Sequence, residues 1–343
     1  MMCYNPIRLD TTDYYRKHGI ILSNKRFFNV PCGKCLACLS QKAKEWTMRL
    51  SHEWFYYNEN NSMFITLTYD NDNISSDFGL HKRDIQLFMK RLRKQCDKEN
   101  IKLKYFVAGE YGFQKHRPHY HMILFGLPNL STKLIRDVNK YSVDYKLRGQ
   151  YKLSKYDRLL FRCWKKGNIR IGYCSLQSLQ YCSLYTLKGN HIVIGRKEYF
   201  ERYGKEKPFR QMSKGIGKRY VIDNKLNLVE NLKISYNGVD TSIPRSYLNW
   251  IEREGFDIRD KIKEKQLIDI DKEIQKLYNE FMIEPKTIFD FPNVEDYYDL
   301  TNHRLLYKIY ENRLITKRYK YESRHEKYKL EKLNNVLREV EVA

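Results

Sequence analysis

His119 and His121 flank a single bulky residue in the stretch HRPHYHMILFG, residues 116–126. The chain has nine histidines, and three of them fall in this stretch. In an extended strand, residues i and i+2 point to the same face. The two imidazoles therefore project together and Tyr120 points away. Side by side, two imidazoles can chelate a divalent cation. An isolated H-x-H is also met as a pair of ordinary surface or core histidines, and Glu110 shifts the balance. It closes the run KYFVAGE, just ahead of a segment carrying Gly112 and Pro118. If that segment folds back, an antiparallel neighbour brings the carboxylate beside the imidazoles. Two histidines and one carboxylate leave coordination positions open, which suits a catalytic rather than a structural ion.

A second group lies in YCSLYTLK, residues 181–188. On an α-helix Tyr181 and Tyr185 are offset by about 40°, and Lys188 by about 20° from Tyr181. Two phenols and an ammonium on one face suit paired nucleophiles with a cation to steady a phosphate. With 29 tyrosines in the chain, such spacing also arises by chance, as at Tyr141 and Tyr145. A core-facing aromatic stripe is the competing reading. A third group is Cys32, Cys35 and Cys38, to which Cys3 adds a fourth thiol, the number of a closed zinc site. Three cysteines at this spacing can equally begin a helix and pack. Cys96, Cys163, Cys174 and Cys182 are scattered.

The elements around these residues follow from periodicity. Residues 40–57 carry Trp46, Leu50, Trp54 and Tyr57 at helical spacing. MFITLTYD (63–70) alternates as a strand, with Thr66 and Thr68 read as pleat residues. Residues 82–98 form a basic amphipathic helix over Ile85, Phe88, Met89 and Leu92. Strands follow at 104–110 and 119–126, then a helix-like segment at 131–147, a strand at 168–174 and a helix at 175–189 closed by Gly189. The order β-α-β-β-α-β predicts an α+β fold of the ferredoxin-like (RRM-like) kind. Its central antiparallel sheet carries helices on one face and leaves the other for a ligand. We expect a cysteine-containing N-terminal segment and helix (1–58), a core (59–190), a basic mixed extension (191–250) and a charged helical C-terminal extension (251–343). The basic loop at 212–220 is either a plain turn or a set of N–H groups for a nucleic-acid backbone. His116 is either a solvated loop histidine or a phosphate contact.

The net charge of +23 favours a polyanionic partner. Residues 101–200 hold 19 Lys or Arg against 5 Asp or Glu, whereas residues 251–300 hold 8 against 14. The basic surplus thus surrounds the histidine stretch. No apolar run is long enough for a transmembrane helix. The start, MMCYNPIRLD, lacks a hydrophobic signal core. Both point to a cytosolic, reducing location without disulfides.

FITLTY, GEYGFQKHRPHYHMILFG and QYCSLYTLK, in that order, resemble the three motifs of HUH endonucleases. The resemblance is closest to the rolling-circle replication initiators of gokushovirus-like microviruses, small single-stranded DNA phages. It extends to VPCGKCLAC, PFRQMSKGIG and IPRSYLNW, and covers roughly residues 1–250. The resemblance implies an HUH domain and a metal-dependent, two-tyrosine DNA endonuclease and strand transferase. His119, His121 and Glu110 would bind Mg²⁺ or Mn²⁺. Tyr181 or Tyr185 would attack single-stranded or origin DNA, forming a 5′-phosphotyrosine and freeing a 3′-OH. Lys188 matches a lysine that commonly follows the second tyrosine, whereas Leu184 stands where relatives often carry a basic residue. Host helicase and polymerase would be partners, in the bacterial cytoplasm. A relaxase or single-strand transposase would use the same chemistry. A non-catalytic single-stranded nucleic-acid binding protein is the reading from another class.

Overall fold

A computed structural model describes residues 3, 6–10, 27–58, 60–112, 116–129, 136–138, 154–191, 204–262, 264–265, 268–269 and 272. The chain divides into one unit spanning Cys32–Trp250 and a second made of Met2–Pro31 and Ile251–Ala343. In the second unit, β1 (Ile7–Asp10) pairs antiparallel with β2 (Phe27–Val30), where the sequence suggested irregular chain. Most of the expected C-terminal helical extension lies outside the described residues.

The first unit is built on a sheet of six strands. They are β3 (Ser62–Tyr69), β4 (Lys104–Tyr111), β5 (Pro118–Phe125), β6 (Arg136–Val138), β7 (Gly167–Tyr173) and β8 (Phe209–Met212). Their order is β6-β7-β3-β5-β4-β8, and every neighbouring pair is antiparallel. The fold is α+β. β3 and β4 run parallel on either side of β5, the arrangement expected of a split β-α-β unit. This places the histidine strand at the centre, where its backbone is paired on both edges.

Helices α2 (Lys82–Cys96) and α3 (Lys155–Trp164) follow β3 and precede β7. Ile85, Phe88, Met89 and Leu92 of α2 are fully buried with Leu160 and Trp164 of α3. They cover Met63, Ile65, Leu67, Tyr120, Met122 and Leu124 on one face of the sheet. Each such side chain contributes about 1.5–3 kcal/mol when fully buried. α3 starts with a capping box in which Ser154 and Asp157 bond reciprocally. The sequence put this crossover helix at 131–147. Within that range the described residues form β6, and the helix lies further on, at 155–164, where Leu160, Cys163 and Trp164 supply the apolar stripe.

The opposite face is not left bare, contrary to the expectation of helices on one side only. Helix α1 (Leu36–Tyr57) and helix α4 (Leu176–His191) lie across part of it. Leu50, Leu179 and Cys182 pack there with Phe106, Ile123 and Phe125. These strand residues occupy the end of the sheet away from the histidines. Helix α4 runs through Gly189 instead of ending at it. Two short helices, α5 (Lys218–Asp223) and α6 (Lys225–Asn231), and a hairpin, β9 (Ile234–Tyr236) with β10 (Val239–Thr241), precede α7 (Arg245–Arg253).

Candidate active site

β4 and β5 are in register such that Glu110 stands directly opposite His119, and Ala108 opposite His121. Alternation along each strand puts Glu110, His119 and His121 on one face. Their side chains converge. His119 Nε2 lies 2.9 Å and His121 Nε2 3.2 Å from Glu110 Oε1, and the two Nε2 atoms are 3.1 Å apart. The donor atoms of all three residues lie within 4.8 Å of one another. Below them the strand enters the core through Ile123 and Phe125, both fully buried, so the pair rides on a rigid base.

The far nitrogens of both rings are held as well. His119 Nδ1 is 3.1 Å from the Arg117 carbonyl. A carbonyl only accepts, so Nδ1 carries the hydrogen and the lone pair sits on Nε2. His121 Nδ1 is 3.1 Å from Thr66 Oγ1, a residue the sequence reading assigned only to the pleat. Thr66 pairs with His121 across β3 and β5, and this register was the signal that identified it. Both Nε2 atoms and a carboxylate oxygen therefore face one point, and a cation there, a proton or a metal ion, satisfies all three. Orienting bonds on the outer nitrogens are what metal-ligating histidines characteristically make. Burial alone would raise the Glu110 pKa. Hydrogen bonds from His119 and His121 outweigh it and bring the value down to about 2. The carboxylate is thus charged at neutral pH.

Helix α4 delivers Tyr181 to this group. The Tyr181 ring meets His121 edge to face at a centroid separation of 5.1 Å, and Phe64 at 5.9 Å. Phe64 in turn stacks on His121. Tyr181 is 42 % exposed, so a substrate can reach its phenol. Tyr185 and Lys188 lie further along α4, and their side chains fall outside the described residues. Leu184 is exposed. The helix is seated by Ser183 Oγ, 2.6 Å from Thr47 Oγ1 of α1 and fully buried.

Sheet register also aligns two arginines with the histidines. His121 pairs with Thr66, which pairs with Arg170 on β7. On the other side, Ala108 pairs with Arg210 on β8. At a strand spacing of about 4.8 Å, the two arginine Cα atoms stand roughly 10 Å to either side of His121. Both side chains are exposed. The sequence reading picked out neither, because a single basic residue in a strand carries no signal before the register is known. His116 is exposed, beside a part of the loop outside the described residues.

The basic loop at 212–220 is a turn locked to α1. The Gly217 N–H donates to Glu53 Oε2 at 2.7 Å, and Lys104 Nζ bonds Glu53 Oε1 at 2.7 Å. That N–H is engaged within the protein. Cys32, Cys35 and Cys38 gather at the start of α1. Cys3 belongs to the other unit. Cys96, Cys163, Cys174 and Cys182 are buried. Among the described residues no helix is long and apolar enough to cross a membrane.

The model of the "Replication-associated protein ORF2" family matches residues 62–190. That span runs from β3 through α4 and contains Glu110, His119, His121, Tyr181, Tyr185 and Lys188. The chain is 29 % identical over 326 residues to "Replication-associated protein VP4" of Bdellovibrio phage phiMH2K, covering 89 % of this chain and 93 % of that one. It is 32 % identical over 249 residues to "Replication-associated protein ORF2" of Spiroplasma virus 4, covering 69 % and 73 %. With "Replication-associated protein ORF4" of Chlamydia phage 1 it shares 27 % over 229 residues, 66 % of this chain and 54 % of the relative. No solved structure is significantly similar to the chain.

Proposed function

Since this chain belongs to the family of viral replication-associated proteins and acts in the initiation of viral replication, we propose that it is a DNA endonuclease and strand transferase that begins a rolling-circle round. Glu110, His119 and His121 hold Mg²⁺ or Mn²⁺, hard ions that accept a mixed carboxylate and imidazole set. When bound, the ion supplies positive charge beside the scissile phosphate. The protein's own groups do the rest. Arg117 O and Thr66 fix both rings. Arg170 and Arg210 draw the DNA backbone across the sheet face. Tyr181, against His121, presents a phenol to the phosphorus. Its proton leaves, a Tyr Oη–P bond forms and the P–O3′ bond breaks. The departing O3′ takes up a proton and becomes the primer end for a host polymerase. The phosphotyrosine keeps the energy of the broken bond, so a later attack by a 3′-OH reseals the strand without ATP. Tyr185 is the second nucleophile of this scheme, and Lys188 steadies phosphate near it. Host helicase and polymerase in the bacterial cytoplasm are the partners.

The observation that carries this reading is the convergence of Glu110, His119 and His121 with Tyr181 beside them. A gel assay for covalent protein–DNA adducts on single-stranded origin DNA tests it, with Tyr181→Phe, Tyr185→Phe and the double variant. We expect a metal-dependent adduct that survives each single change and disappears in the double variant. Tight, salt-sensitive binding without any adduct would leave a binding protein only. Adducts without origin preference would favour a relaxase or transposase using the same chemistry.

A further inference from the structure

We propose that Cys32, Cys35 and Cys38 form a thiolate site for a soft divalent ion, zinc in class, that anchors the first turn of α1. The site is separate from the carboxylate and histidine group and does not rest on the DNA chemistry proposed above. Its sulfurs are close but not bonded. Cys32 Sγ and Cys38 Sγ are 4.0 Å apart, and the three sulfurs lie within 4.8 Å of one another. A tetrahedral ion with bonds of about 2.3 Å separates its sulfurs by about 3.8 Å.

The backbone favours the charged form of sulfur. The N–H groups of Lys34 and Cys35 point at Cys32 Sγ from 3.5 and 3.3 Å. Amide donors aimed at sulfur stabilise thiolate over thiol, and so does the positive end of a helix. Cys35 is the N-cap of α1, yet its side chain makes no capping bond. The tight turn depends on Gly33 at φ +70°, whose carbonyl is held by Lys42 Nζ at 3.1 Å. Simple packing explains these residues poorly. Cys32 and Cys35 are only partly buried, whereas Cys96, Cys163, Cys174 and Cys182 sit fully within apolar cores. Three thiolates occupy three of the four positions of a tetrahedral ion.

The ion's effect reaches the tyrosine helix through α1. Thr47 and Leu50 of α1 contact Ser183, Leu179 and Cys182 of α4. Fixing the start of α1 therefore steadies the surface on which Tyr181 is mounted. Binding displaces three thiol protons and involves no electron transfer.

The test uses the full chain, purified under reducing conditions and exposed to Zn²⁺, then freed of loose metal. A His119→Ala/His121→Ala variant removes the other site from the count. We expect about one zinc per chain in wild type and in that variant, and at least a tenfold lower content in Cys32→Ser/Cys35→Ser/Cys38→Ser. Wild type loaded with Co²⁺ should show a thiolate-to-cobalt charge-transfer band, a readout that needs no variant to fold. Equal zinc in the triple-serine protein, no such band in wild type, or a Cys32–Cys38 disulfide persisting in reductant would each overturn the proposal.

Discussion

Thr66→Val tests whether the hydroxyl on β3 tunes the metal group. Thr66 Oγ1 is the partner of His121 Nδ1 at 3.1 Å, and the His121 side chain is only 9 % exposed. Valine keeps the β-branched shape that suits a strand but leaves Nδ1 without this hydroxyl. A buried polar group stripped of its partner costs about 1–3 kcal/mol. Losing an orienting partner weakens metal affinity by about 10–100-fold, which is about 1.4–2.7 kcal/mol. The two ranges overlap, and we expect a loss of about 30-fold in Mn²⁺ affinity by titration calorimetry. Thr68→Val is the matched control. Its hydroxyl bonds the Asn168 carbonyl at 3.4 Å and touches neither ring, so affinity should stay within about twofold. Thr66→Ser should restore most of the loss. Equal behaviour of the two valine variants, or wild-type affinity in Thr66→Val, would refute the reasoning.

Four further outcomes are expected. Gly217→Ala should lower stability by about 1–3 kcal/mol in urea unfolding, since a Cβ would lie 2.3 Å from Tyr247 Oη and φ is +78°. Burial holds the pKa of His52, stacked on Tyr220, down to about 4 against 6.5 unfolded. The unfolded chain therefore protonates first, and stability that is full above pH 6.5 should fall by about 3 kcal/mol as pH drops toward 4; His52→Gln should flatten that limb. Arg170→Ala and Arg210→Ala should each weaken single-stranded DNA binding and reduce the steepness of its salt dependence by about 0.7, read by fluorescence anisotropy across salt concentrations. A double-mutant cycle of Thr47→Val and Ser183→Ala should return a coupling of about 1 kcal/mol in urea unfolding.

The central sheet was legible because its strands alternate cleanly and its turns carry glycine and proline. β4 and β5 could be placed opposite each other from the distance between Glu110 and His119 alone. The helix at 155–164 was missed because tyrosines at 141 and 145 imitate a helical pair nearby, while the true apolar stripe begins only after Ser154. The covering of the second face by α1 and α4 was also missed. A periodic stripe says that a helix buries something, not which sheet face it meets. Thr66, Arg170 and Arg210 were invisible as site residues for one shared reason. Their relation to His121 is a property of strand register across β7, β3, β5, β4 and β8, and register between distant segments is not written in any single stretch.

The Arg117 carbonyl accepts two hydrogen bonds: one from the Gly112 N–H that closes the hairpin, at 3.0 Å, and one from His119 Nδ1. Turn closure and ring orientation are thus one event. All three candidate ligands and this shared acceptor lie between residues 110 and 121, so a single hairpin carries the whole metal-binding capacity. Such a hairpin behaves as a cassette. It can be exchanged between related sheets, or lengthened within its loop, with its ion chemistry intact as long as that one carbonyl stays in place. The nucleophile has no such portability, because Tyr181 reaches the site only through a helix seated on another helix. Divergence among relatives should therefore alter where and how readily DNA is attacked sooner than it alters which ions are held.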